Sequence, residues 1–209
     1  MKKLISLAVV LGMVAGFVSP SLMAATTTSG PITVGATVAT AVALNVTMLK
    51  NDFNGATVTS MDFGRLITLP LTGGGTTGLR SSATSTTGTG AVDVFISGNS
   101  QGAPYTISQT GTPVTSGANT LPAGALNVVP VYATQDNGGA ALPAGASIGT
   151  PGTWVGTRTL YTSGSTGALR TIQAYYSVTD DPAAGATASV PTSQAAGTYT
   201  GTVTFTMTT

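Results

Sequence analysis

Ile32-Thr33-Val34-Gly35-Ala36-Thr37-Val38-Ala39-Thr40-Ala41-Val42-Ala43-Leu44-Asn45-Val46-Thr47-Met48 is the stretch that decides the fold class. Ile32, Val34, Ala36, Val38, Val42, Leu44, Val46 and Met48 share one parity, and Thr33, Gly35, Thr37, Asn45 and Thr47 hold the other. Successive side chains of an extended chain point to opposite faces, so this segment has one apolar and one polar face. It is longer than the usual strand of ~5–6 residues, so it reads as one long strand or as two in sequence.

The C-terminus repeats the pattern. After the turn-forming Gly197, Tyr199, Val203, Phe205 and Met207 alternate with Thr200, Thr202, Thr204, Thr206 and Thr208, the composition of a half-buried strand. Weaker candidates lie between: Ser60 to Leu69, Ala91 to Ser97, Tyr105 to Gln109, Leu126 to Ala133, Arg158 to Tyr161 and Thr171 to Val178. Turn clusters such as Asn51-Asp52-Phe53-Asn54-Gly55, Asp136-Asn137-Gly138-Gly139 and Asp180-Asp181-Pro182 bound them. No window after residue 25 carries an uninterrupted helical stripe. About eight short strands with short connections predict an all-β, immunoglobulin-like Greek-key β-sandwich. The runs 72–78, 83–90 and 183–196 read as loops, not as linkers between domains.

The first 24 residues predict a signal peptide, with Lys2 and Lys3 ahead of the apolar run Leu4 to Val18 and small residues at Ala24-Ala25. That run is too short to cross the ~30 Å hydrocarbon layer as a helix, and no later run resembles it. The expected organisation is 1–24 signal peptide, 25–40 N-terminal extension and 41–209 sandwich domain. Cleavage leaves five scattered cations, Lys50, Arg65, Arg80, Arg158 and Arg170, against six aspartates. Nucleic-acid binding needs clustered cations, so nucleic acid is not an expected partner. Charged residues make up 6% of the chain, far below the ~25% of an average soluble domain, which fits an extracellular protein wetted by Thr, Ser, Asn and Gln. With no cysteine, packing or partner subunits must hold the fold.

Histidine, cysteine and glutamate are all missing, which removes the usual general base, the Ser-His-Asp triad and the commonest zinc ligands. Paired-carboxylate chemistry would need two of Asp52, Asp62, Asp93, Asp136, Asp180 and Asp181. Asp180 and Asp181 beside Pro182 read as a turn. Asp52 with Asn51 and Asn54 lacks the acidic spacing of a calcium loop and reads as a turn too. Lys50 has no nearby serine signature to pair with. We therefore expect no enzyme, no cofactor and no metal. Trp154 and the Tyr175-Tyr176 pair offer either a sugar-stacking platform or core packing, and packing is preferred. An outer-membrane barrel is disfavoured because the strands are short and lack aromatic ends.

Three short motifs carry a family resemblance. Asp62-Phe63-Gly64, then Pro104-Tyr105-Thr106-Ile107-Ser108, and finally Ala195-Ala196-Gly197-Thr198-Tyr199-Thr200-Gly201-Thr202-Val203-Thr204-Phe205 together resemble the spore coat protein U-like domain of archaic chaperone-usher pilin subunits. The resemblance spans most of the chain after residue 24, although such subunits commonly carry a disulfide that this chain lacks, and the region Leu121 to Ser163 is longer than in a minimal domain.

The resemblance implies an incomplete sandwich completed by a donated strand, a form of β-augmentation. The partners it implies are identical or related subunits, a periplasmic chaperone and an outer-membrane usher, with the product a surface fibre serving adhesion or biofilm. On that reading Ile32, Val34, Ala36 and Val38 form the donor face, and Tyr199, Val203, Phe205 and Met207 mark the acceptor edge. Val42, Leu44 and Val46 would begin the chain's own first strand. The same alternation also fits a segment that folds back into its own sandwich as one or two edge strands. A monomeric adhesin or lectin-like binding module is the alternative function.

Overall fold

The computed structural model describes residues 27–29, 36–37, 42–49, 57–68, 78–81 and 91–209. Its strands are β1 (Thr27–Ser29), β2 (Ala36–Thr37), β3 (Ala43–Leu49), β4 (Thr57–Val58), β5 (Leu66–Ile67), β6 (Arg80–Ser81), β7 (Ala91–Asn99) and β8 (Thr106–Gly111). They continue with β9 (Thr115–Ser116), β10 (Asn119–Thr120), β11 (Leu126–Val131), β12 (Ser147–Ile148), β13 (Gly152–Thr153), β14 (Gly156–Thr162), β15 (Arg170–Val178) and β16 (Val203–Thr208). Three single-turn 3-10 helices are the only helices among the described residues, and no helix there is long and apolar enough to cross a membrane.

Two antiparallel sheets face each other. One runs β1-β16-β8-β14-β12, and the other runs β13-β11-β15-β7-β3-β2 with β4 also on β3. The alternation read from the sequence is what lets them pack. Val42, Leu44, Val46 and Met48 are buried while Ala43 and Asn45 are exposed. Across the sandwich Ile107, Leu160, Tyr161, Val203, Phe205 and Met207 close the same core. Each fully buried side chain of this size contributes ~1.5–3 kcal/mol, so this shared core is the main source of stability. The all-β fold expected from periodicity is therefore present.

Local differences have local causes. The stretch Ser60 to Leu69 reads as a strand, but within it Leu66–Ile67 is the only ladder among the described residues. Asp62 Oδ1 accepts the Gly64 amide at 2.8 Å, and Gly64 sits at φ 65°. This Asx turn, with its left-handed glycine, bends the chain out of extended form. The C-terminal strand begins at Val203 rather than at Tyr199. Upstream, Thr200 pairs instead with Thr115. Pro113 has no amide to donate, so the ladder that β8 shares with β16 breaks at its level and resumes with that bridge. Asp136 lies in the 3-10 turn Gln135–Asn137, which left-handed Gly138 closes, and Asp181 caps the 3-10 turn Pro182–Ala184. Both aspartates thus sit in the turns expected of them.

Candidate functional site

β16 lies at the meeting point of the three motifs. On one side it pairs with β8 along its whole length, from Val203 opposite Gly111 to Thr208 opposite Thr106. On the other, β1 pairs with it antiparallel, placing Thr27 opposite Met207, Thr28 opposite Thr206 and Ser29 opposite Phe205. Among the described residues that outer edge is paired at these three positions alone. Alternation buries Val203, Phe205 and Met207 to 2% exposure or less. Three of the four residues expected on the acceptor edge thus share one inward face of one strand.

Tyr199, the fourth, is off the strand and half-buried. Its hydroxyl accepts Gln194 Nε2 at 2.7 Å and donates to the Ala195 carbonyl at 2.8 Å, which fixes the segment leading into β16. On the donor side, Ala36 stands opposite Leu44 on β3, at the edge of the other sheet. Ile32, Val34 and Val38 lie outside the described residues.

A relay of rings ties β16 to the Asp62-Phe63-Gly64 turn. Phe205 meets Tyr176 edge-on at 6.3 Å, Tyr176 meets Trp154 at 6.4 Å, and Trp154 stacks on Phe63 at 6.4 Å with planes 16° apart. Such pairs contribute ~0.5–1.5 kcal/mol each beyond their buried area. Trp154 is 3% exposed and Tyr176 is fully buried, so both serve packing; Tyr175 beside them is half-buried on the opposite face.

Gln109 joins this relay from β8. Fully buried, it accepts a hydrogen bond from the Tyr176 hydroxyl and donates Nε2 to the Trp154 carbonyl at 2.9 Å. Burial pushes the Tyr176 phenol well above its ordinary value of 10.0, so it stays a neutral donor. Burial likewise raises Tyr105 and Tyr161, each with help from a neighbouring tyrosine.

A cavity of about 800 Å³ opens between the turn at Ser60–Leu66 and the segment Gln194–Val203. Its walls include Met61, Phe63, Leu79, Leu121, Trp154 and Tyr199. The buried indole N–H of Trp154 has no hydrogen-bond partner among the described residues. Ser81 donates its hydroxyl to the Phe63 carbonyl, and Arg80 in the same strand pairs with Asp180 at 9% and 6% side-chain exposure. The Leu79 amide bonds the Val190 carbonyl at 2.8 Å, completing the anchorage of this wall.

The cavity is thus a recess of mixed lining at the head of β16, where the apolar walls are joined by Asp62, Arg65, Gln194 and Thr198. Asp62 at its rim is engaged in its own turn. Sequence reasoning singled out Phe63 and Trp154 separately but did not join them, and it passed over Gln109 and Leu79. Gln109 was findable: it shares parity with Tyr105 and Ile107, so a strand through those three must bury it. Compared with known proteins, the chain matches no family model, no curated protein and no solved structure.

Proposed function

We propose that this chain is a structural subunit of an extracellular fibre, assembled when the strand Ile32–Val38 of one copy docks on the β16 edge of the next. The observation that carries this reading is the state of that edge. Its inward face is built from Val203, Phe205 and Met207, yet along its outer side only three positions are paired among the described residues, all by polar residues of β1. A recess of about 800 Å³ adjoins its head.

An antiparallel strand with Val34 opposite Val203 would bring Ile32 opposite Phe205, Ala36 opposite Gly201 and Val38 opposite Tyr199. Directly opposed residues of an antiparallel pair share a face, so the apolar parity would point inward and toward the recess. Each Val or Ile so buried contributes ~1.5–3 kcal/mol, with backbone pairing in addition. An open strand edge invites aggregation, so a periplasmic chaperone and an outer-membrane usher fit as transit partners. Export, then surface display as an adhesive or biofilm fibre, completes the proposal.

Deleting residues 26–40 tests it. The shortened protein is expected to keep its β circular-dichroism spectrum but to form no fibres by electron microscopy; fibres like those of the parent would sink the idea.

The recess also favours a second reading, a monomeric module that binds a ligand with an apolar body and polar groups, matched to walls that combine Phe63, Trp154 and Tyr199 with Arg65, Gln194 and Thr198. Trp154 is the only tryptophan. Saturable quenching of its fluorescence by a small apolar probe, in protein that forms no fibres, would favour that module.

A further inference from the structure

β1, the first strand among the described residues, sits where the incoming strand is proposed to go. β1 pairs with Phe205, Thr206 and Met207, and its backbone runs beside β3 of the opposite sheet. β2, a few residues on, pairs with Ala43 and Leu44 on β3. Within one chain, then, the N-terminal segment is held at two different sheet edges, residues 27–29 on one and 36–37 on the other.

We infer that β1 is an intramolecular placeholder, which keeps the β16 edge closed in the free subunit and is displaced by the strand of a second copy. The inference rests on the fibre reading above and adds how assembly is held back and started.

Composition makes the placeholder weak. Its sequence is Thr-Thr-Ser, without an aliphatic side chain, and it spans three residues. The competing segment offers Ile32, Val34, Ala36 and Val38, so the exchange gains buried apolar area at nearly constant backbone pairing. The register supplies a starting point. Among the described residues β1 pairs opposite 205–207 alone, and Val203, two positions beyond that ladder, lines the recess. An incoming strand can pair there first, with Val34 at Val203, and then replace Ser29 opposite Phe205 and proceed toward Met207. A short polar edge strand meanwhile guards the free subunit against unspecific edge pairing.

A cysteine lock tests this, because the protein has no cysteine of its own. Thr28 and Thr206 stand directly opposite each other, and opposed residues of an antiparallel pair, ~4.5–5.5 Å apart at Cα, fall within disulfide range. The full-length Thr28→Cys/Thr206→Cys protein, oxidised, is expected to close an intramolecular disulfide, run as a monomer on a non-reducing gel and form no fibres. Added reductant should restore fibre formation. An intermolecular ladder on that gel, or fibres growing at the parent rate from the locked monomer, would overturn the inference.

Deletion of residues 26–29 alone provides the second arm. It should shorten the lag before fibres appear, and an unchanged or longer lag counts against a placeholder. The two readings fail separately. Fibres accompanied by an intermolecular ladder remove the placeholder and keep the fibre subunit. An intramolecular disulfide with no fibres from any form, the parent included, removes the fibre subunit and displacement with it.

Discussion

Gln109 is the residue on which the aromatic relay turns, because it is fully buried and its side chain holds Tyr176 of β15 and the Trp154 carbonyl after β13 in place. Tyr176→Phe removes the donor to Gln109 Oε1 and leaves that oxygen buried with one bond fewer. A buried acceptor left unpaired costs ~1–3 kcal/mol. The midpoint of urea unfolding is therefore expected to fall by that equivalent with its slope unchanged; an unmoved midpoint would mean that the bond contributes nothing. Close packing at the same place is visible at Gly111, where an added Cβ would lie 2.0 Å from the Trp154 carbonyl oxygen. At this scale the sequence was half legible. Parity alone buries Val203, Phe205, Met207 and Gln109. The meeting of Phe63 with Trp154 depends on how a turn folds across 90 intervening positions, and no local pattern carries that.

Among the elements, β6 shows how a two-residue strand can matter. Arg80 of β6 and Asp180 after β15 form an ion pair with both side chains nearly buried, and the same strand fixes Phe63 through Ser81. Breaking a buried pair by removing one partner costs ~3–5 kcal/mol, because the remaining charge loses its counter-ion in a poor solvent. Asp180→Ala is expected to destabilise by about that amount, whereas Arg80→Met/Asp180→Leu should recover most of the loss. Thermal melts of the three proteins decide it, and equal losses in the single and double variants would contradict the desolvation argument.

The longer strands, β3, β7, β8, β11, β14, β15 and β16, were readable because alternation over six or more residues is hard to mimic. β6 was not, for two residues carry no period. The failure at Ser60 to Leu69 has a different origin: the side chain of Asp62 and the left-handed Gly64 override an extended propensity.

For the whole molecule, the decisive property is a sandwich whose described N-terminal residues divide between the two sheets. Three of them cover part of β16 and two cover part of β3. The low charge and the absence of cysteine were legible as composition and say that packing or partner subunits must hold the fold. Which copy supplies the strand beside β16 was not legible, because an alternating segment pairs with its own sheet and with a neighbour's by the same backbone bonds.

The single tryptophan lies in the wall of the recess and so reports on the edge directly. The most direct measurement is to titrate protein lacking residues 26–40 with a synthetic peptide of residues 30–40 and follow Trp154 fluorescence. We predict a saturable change at one peptide per chain, accompanied by a rise in melting temperature, both lost in a peptide carrying Val34→Asp. No response from folded protein, or an equal response to both peptides, would contradict strand docking at β16.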